Sequence, residues 1–185
     1  LRLSKEKGAR TLAISNVIGS TITREADYTI YTHAGPEIAV ASTKAYTSQV
    51  CLIAILGMYF AETMGSYPED KIEELKHSIL DLPSKIEAVL DESEKIKDFA
   101  DKVYTQKDMF FLGRGTDYDV ALEGSLKLKE ISYIHSEAYA AGELKHGPIA
   151  LIENGVIVIG IITNKNLVEK TISNIQEVIT RGAKT

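Results

Sequence analysis

The segment 108–132, DMFFLGRGTDYDVALEGSLKLKEIS, decides the fold class of this chain. It opens with an apolar run typical of a buried strand, passes through a turn with two glycines, and ends in a charged stretch with helical spacing. A strand, a Gly-rich turn and a helix form the repeating unit of folds with parallel sheets. The segment therefore predicts an α/β fold, in which ligands bind where strands give way to helices.

The rest of the chain repeats this alternation. Apolar runs at 11–15, 27–32 and 155–164 predict buried strands, and a helical pattern covers 37–64. Within that helix the run from Val50 to Ala61 predicts a buried helix. Residues 69–105 are charged and amphipathic, and Pro83 is expected to divide them into two or three short helices. Residues 133–150 read as a mixed loop, and a last amphipathic helix follows the strand at 155–164.

Composition narrows the class of protein. Hydrophobic residues make up 44%, charged residues 25%, and the net charge is −5. These values are ordinary for a soluble globular protein and give no reason to expect a nucleic-acid partner. No apolar run is long enough to predict a membrane partner, and the first residues lack the apolar core of a signal peptide. The single cysteine, Cys51, excludes an internal disulfide framework and indicates a reducing compartment, for which the cytoplasm is the default.

The stretch 126–148, LKLKEISYIHSEAYAAGELKHGP, concentrates acid–base groups. On a helix, Lys127 and Glu130 share a face with Glu123. Glu130 is either half of a surface ion pair worth less than about 1 kcal/mol, or a partly desolvated carboxylate suited to moving protons. His146 is either a plain loop residue in a Gly-Pro turn or a general acid–base group. The sequence pattern alone leaves both alternatives open.

Two other motifs have competing interpretations. Gly113 and Gly115 could bring backbone amides to an anion at a helix start, or could only form a tight turn; the third glycine of a dinucleotide fingerprint is absent. The hydroxyl-rich stretch 42–48 could cap a helix or bind a polyol or phosphate. No recognised metal-ligand spacing and no G-x-S-x-G elbow occur, so neither a metal site nor a serine triad is expected.

Three segments closely resemble the isomerase half of the glutamine–fructose-6-phosphate aminotransferases (isomerizing), also called glucosamine-6-phosphate synthases. They are EIAVASTKAYTSQ, FLGRGTDYDVALEGSLKLKEISYIHSEAYAAGELKHGPIALI and NIQEVITRG. That half is a tandem of sugar isomerase (SIS) domains. The resemblance implies a three-layer α/β/α, flavodoxin-like SIS sandwich with mostly parallel sheets. It places the end of one SIS domain at 1–66, a helical connector at 67–105, and most of a second domain, incomplete at its C-terminus, at 106–185.

The same resemblance implies the chemistry. Enzymes of this family convert fructose 6-phosphate and glutamine to glucosamine 6-phosphate and glutamate, with no metal or redox cofactor in the isomerase half. Glu130 matches the base that moves a proton between C1 and C2. His146 matches the residue that opens and closes the sugar ring, reaching the substrate from a neighbouring subunit. Lys127 matches a lysine that stabilises the enolamine-like charge, and Val40 and Ser42 match residues that line the sugar pocket.

The family pattern also implies partners and missing parts. A glutaminase domain of the same parent chain is expected to supply ammonia, in a homodimer or higher homo-oligomer. The phosphate loop is expected upstream of residue 1 and a Schiff-base lysine downstream of residue 185, so this portion alone is expected to lack synthase activity. Two alternatives remain: a non-catalytic SIS module that senses a phosphosugar, and an SIS deglycase or isomerase for another aminated sugar phosphate. The presence of Glu130, Lys127 and His146 together favours an enzyme.

Overall fold

A computed structural model describes residues 1–185, which divide into two compact units, Leu1–Glu92 and Ser93–Thr185. The division falls inside the predicted connector at 67–105, and the predicted domain bounds at 66 and 106 stay a prediction. The elements of the first unit are α1 (Arg2–Glu6), β1 (Leu12–Ser15), α2 (Thr21–Glu25), β2 (Tyr28–Tyr31), α3 (Lys44–Met64), α4 (Glu69–Leu80) and α5 (Leu82–Leu90).

The first unit contains the two strands predicted at 11–15 and 27–32. β1 and β2 pair in parallel, with Leu12 opposite Tyr28. The loops that follow them are joined by Asn16, whose Oδ1 accepts hydrogen bonds from the Ala34 N–H at 2.9 Å and the Thr32 hydroxyl at 3.0 Å. Its side-chain amide donates to the Gly35 carbonyl at 2.6 Å. One carboxamide thus fixes the carboxyl edge of this strand pair.

Helix α3 differs from the sequence prediction in two ways. It begins at Lys44 rather than near residue 37, and residues 33–43 are irregular. The prediction of a buried helix is wrong, since α3 has no buried residue and Ile53 is 59% exposed. The reason is that α4 and α5 cover only one side of it, with apolar clefts left between them. By length and composition α3 could span a membrane, but this is a weak indication because core helices of soluble proteins meet the same criteria.

The charged stretch after α3 forms three helices, α4, α5 and, in the second unit, α6 (Ser93–Val103). Pro83 lies in the first turn of α5, where its missing N–H leaves no helical hydrogen bond unmade. The predicted division at Pro83 is therefore confirmed.

The second unit is built on a three-stranded parallel sheet in the order β4-β3-β5. Its elements are α6 (Ser93–Val103), β3 (Asp108–Gly113), α7 (Thr116–Ser132), β4 (His135–Ala140), the 3₁₀ turns Leu144–His146 and Pro148–Leu151, β5 (Ile157–Gly160) and α8 (Val168–Thr180).

Alternate side chains of β3 pack on opposite faces of this sheet, as the pleat requires. Phe110 and Leu112 lie in a core with Val178 of α8, whereas Met109 packs with Leu128 of α7. Helices therefore cover both faces, which confirms the predicted three-layer α/β/α arrangement with parallel strands.

Two local features decide where α7 and its neighbours lie. β4 occupies part of the segment 133–150, so the prediction of a mixed loop there is wrong; its polar sequence HSEAYA suits an edge strand that pairs only with β3.

At the end of β3, a β-carbon on Gly113 would lie 2.3 Å from the backbone of Asp117. Only glycine lets α7 turn back this closely against the strand.

Candidate functional site

Helix α7 places three charged side chains in a row. The ammonium of Lys127 lies 2.6 Å from Oε2 of Glu130 and 3.3 Å from Oε1 of Glu123. The spacings of three and four residues put all three on one face, as the sequence predicted. The side chain of Lys127 is 21% exposed and that of Glu130 is 24% exposed. The pair is therefore partly buried, unlike an ion pair between fully exposed side chains.

The electrostatics of this row favour the protonated form of Lys127. The hydrogen bond to Glu130 raises the pKa of Lys127, with Glu123 adding to the effect against the opposing influence of burial. Oε2 of Glu130 is shielded from solvent, and its polar contact is the Lys127 ammonium. A carboxylate that can take a proton beside a cation that can stabilise a neighbouring negative charge is the combination that proton transfer at carbon needs.

His146 lies apart from this row. It ends the first 3₁₀ turn, its side chain is 74% exposed, and Nε2 is 3.9 Å from Glu143. Leu144, two residues before His146, packs in the core on the α8 side of the sheet, whereas Leu128 of α7 packs on the other side. Within one chain the sheet thus lies between the helix that carries Glu130 and the turn that carries His146. The structure does not bring these two residues together.

Val40 and Ser42 belong to the first unit. They lie in the irregular segment 33–43 that precedes α3, where Val40 is 89% exposed and Ser42 is half-buried. Asn16 holds the beginning of this segment through Thr32, Ala34 and Gly35. The candidate pocket residues therefore sit on a chain segment that is fixed at the carboxyl edge of β1 and β2.

The far end of this segment is fixed by Glu37, which the sequence analysis missed. Its carboxylate accepts hydrogen bonds from the Ala45 N–H at 3.1 Å and the Thr43 hydroxyl at 3.3 Å, and so caps α3. These bonds, the one from Ala45 foremost, lower the pKa of Glu37.

The hydroxyls of the stretch 42–48 do not cap α3. No side-chain cap bond is made at Thr43, and Thr47 and Ser48 donate to carbonyls one turn back in the same helix. The N-cap interpretation of these hydroxyls is therefore wrong. No local spacing rule connects Glu37 to Ala45 across an irregular segment, although a carboxylate ahead of a helix start is a general signal.

The Gly-rich turn after β3 is filled by the protein's own groups. The carboxylate of Asp117, 2% exposed, accepts hydrogen bonds from the Thr163 N–H at 2.9 Å, the Asn164 N–H at 3.3 Å and the Thr163 hydroxyl. These bonds, that from the Thr163 hydroxyl foremost, lower its pKa. A buried negative charge at this helix start repels an anion. The turn acts as a structural joint, which argues against the anion-site interpretation.

Arg114 of the same turn also contacts protein. Its Nε and Nη2 donate to Oδ1 of the buried Asn174 on α8 at 3.1 and 2.8 Å. No group of three or more His, Cys, Asp or Glu side chains is arranged to hold a metal ion.

Comparison with known proteins places this geometry in context. The sequence model of the SIS domain matches residues 1–59 and 102–185. The chain is 62% identical over its whole length to a glutamine–fructose-6-phosphate aminotransferase (isomerizing) of Clostridium tetani, and 60% identical over 99% of its length to the Clostridium perfringens protein of that name. It spans 30% of the length of each relative.

A solved structure agrees in fold. The C-terminal domain of glucosamine-fructose-6-phosphate aminotransferase from Francisella tularensis superimposes with a TM-score of 0.96 and 40% identity, over 100% of this chain and 52% of that one.

Proposed function

This chain belongs to the SIS domain family, and we propose that it is the isomerase part of an enzyme that makes glucosamine 6-phosphate from fructose 6-phosphate and glutamine. The observation that carries the proposal is the Lys127–Glu130 pair on α7, in which the ammonium and the carboxylate lie 2.6 Å apart and both side chains are partly buried. Its sequence context supports the choice of substrate, because the chain is 62% identical to an aminotransferase of that name.

In the proposed reaction Glu130 moves one proton. After ammonia has replaced the C2 oxygen of the open-chain sugar as a protonated imine, with loss of water, a Glu130 oxygen takes a proton from C1 and leaves a neutral enolamine. The same carboxyl group then returns the proton to C2, and loss of the O1 proton gives the 2-amino aldehyde. The Lys127 ammonium stabilises the charge that develops on the enolamine, without itself needing to change protonation.

His146 handles the opening and closing of the sugar ring in this proposal. Because the sheet lies between its turn and α7, the His146 that serves a given Glu130 comes from a second copy of the chain. The 74% exposure of its side chain supports such a role, since the imidazole is free to enter a neighbouring site. The proposal therefore includes a homodimer or higher homo-oligomer.

The remaining parts of the enzyme are also proposed. Val40 and Ser42 line the sugar pocket, and the fixed ends of segment 33–43 support a rigid pocket wall. A glutaminase domain of the same parent chain supplies ammonia, which fits the 30% share of the relatives' length that this chain spans. The cytoplasm, where a single free cysteine remains reduced, is the proposed location.

The test uses the full-length protein that contains this chain, with Glu130→Gln. Formation of glucosamine 6-phosphate from fructose 6-phosphate and glutamine is measured together with glutamate release. We expect sugar product to fall by about a thousandfold or more while glutamate release continues, because the proton-moving group is lost. Asp119→Asn, an exposed carboxylate at the start of α7, is the matched control and should retain activity.

Two results would contradict the proposal. Product formation by Glu130→Gln at the wild-type rate would show that Glu130 only pairs with Lys127. A wild-type protein that makes no amino sugar from these substrates would favour the phosphosugar sensor or the deglycase instead.

A further inference from the structure

The turn formed by residues 141–147, which carries His146, is held by one face of α8. Leu144 is fully buried and packs in a core with Val178 of that helix. The neighbouring Lys145 extends its ammonium to 2.8 Å from Oε1 of Glu177, one residue before Val178. Both residues immediately before His146 are therefore fixed by consecutive residues of α8, one by apolar packing and the other by an ion pair.

A second cation fixes the opposite end of the same turn. A β-carbon on Gly142 would lie 2.8 Å from Nη2 of Arg114, so the guanidinium rests directly on the backbone there. That guanidinium is in turn held by Asn174, one helical turn before Glu177 on α8. The turn is thus attached to one stripe of α8 at both ends, although the imidazole of His146 projects into solvent.

Three residues of α8 hold the turn: Asn174, Glu177 and Val178. Of these, Glu177 is charged, and its partner is Lys145. Its side chain is only 25% exposed, and Oε2 is shielded from solvent without a hydrogen-bond partner. Withdrawing a carboxylate from water is unfavourable unless a partner charge offsets it, and Lys145 is that partner. A glutamine or an apolar residue at this position would have a smaller desolvation cost. The presence of a carboxylate therefore suggests that the ion pair with Lys145 has a role of its own.

We infer that Glu177 is a positioning residue for His146, acting through Lys145. The inference rests on the proposed role of His146 in ring opening. With the ion pair formed, the backbone that leads into His146 has one orientation, and the imidazole approaches the ring oxygen of the neighbouring subunit's sugar in a single geometry. Without it, Lys145 is solvated and the imidazole samples several geometries, which slows a proton transfer that depends on alignment.

The test is a double-mutant cycle in the full-length protein, with fructose 6-phosphate and glutamine as substrates. Glu177→Gln and His146→Asn are made separately and together, and kcat for glucosamine 6-phosphate is measured beside glutamate release. We expect Glu177→Gln to lower kcat about tenfold when His146 is present and to have no further effect when His146 is replaced. Asp101→Asn, which breaks the exposed Lys97–Asp101 pair on α6, should leave kcat unchanged.

Lys145→Met provides a second lesion at a mostly exposed position, where folding is not at risk, and should reproduce the effect of Glu177→Gln. Two results would overturn the positioning role alone. In the first, Glu177→Gln lowers kcat equally with and without His146. In the second, His146→Asn lowers kcat, but neither Glu177→Gln nor Lys145→Met does. His146→Asn with the wild-type rate would instead overturn the role of His146 in the proposed function, and the inference with it.

Discussion

Oδ2 of Asp117 accepts a hydrogen bond of 2.9 Å from the backbone N–H of Thr163, and this bond joins the first turn of α7 to the loop after β5. The two residues are 46 positions apart in the sequence. Because α7 carries Lys127 and Glu130, the joint helps to fix the depth and direction of the helix on which the proposed chemistry depends.

Asp117→Asn should loosen this joint. An amide nitrogen in place of one carboxylate oxygen leaves a buried N–H or hydroxyl without an acceptor, at a cost of about 1–3 kcal/mol. Native-state hydrogen exchange should therefore be roughly ten- to a hundredfold faster for the amides of α7. Asp119→Asn, on the same helical turn but exposed, serves as the control. Unchanged exchange in Asp117→Asn would show that the joint does not hold the helix.

Asp27 in the first unit should titrate near pH 2. Its carboxylate meets the Lys5 ammonium at 2.9 Å and accepts two hydrogen bonds from Thr11, and these partners, Lys5 first, lower the pKa to about 2. A lowered folded-state pKa means that the ionised group contributes stability above its ordinary pKa of 3.8, and that this contribution is lost as the pH falls through about 2.

Carboxyl ¹³C NMR checks this value directly. Lys5→Met should move the midpoint of Asp27 upward, and Thr11→Val should do so by a smaller amount. A wild-type midpoint near 3.8 would contradict the described contacts.

Glu37 should matter more to the start of α3 than the hydroxyls beside it. Glu37→Ala removes the acceptor for the Ala45 N–H, so the first turn of α3 should exchange its amide hydrogens several-fold faster. Thr43→Ala is the comparison, because its hydroxyl makes no bond to the helix start. Equal effects of the two substitutions would mean that the carboxylate is not the cap.

Gly113 and Gly57 should respond in opposite directions to alanine. A methyl group on Gly113 would lie 2.3 Å from the Asp117 backbone, so Gly113→Ala should displace the start of α7 and sharply lower the melting temperature. Gly57 lies inside α3 with nothing within 4 Å, so Gly57→Ala should stabilise by up to about 1 kcal/mol. Differential scanning calorimetry of both variants measures these changes in melting temperature. An unchanged melting temperature in Gly113→Ala would contradict the close approach of Gly113 to Asp117.

The sequence allowed prediction of those features that depend on local spacing. The face shared by Lys127 and Glu130 follows from helical periodicity, and the parallel fold follows from alternating strands and helices. Features made by distant partners were missed. The strand β4 lacks the apolar alternation typical of strands and forms through its backbone hydrogen bonds to β3. The cap of α3 comes from Glu37, which lies across an irregular segment from the helix start. The separation of Glu130 from His146 likewise depends on which face of the sheet each segment packs against.

The row of Glu123, Lys127 and Glu130 bears on how an anionic ligand can approach α7. The row contains two acidic side chains and one basic side chain, so acidic groups are in excess there. A phosphoryl group near it would be repelled, whereas the neutral carbon end of a phosphosugar would not. In the proposed reaction the sugar phosphate therefore enters with C1 and C2 toward Glu130 and its phosphate directed away from the row, so these charges would set the direction of binding.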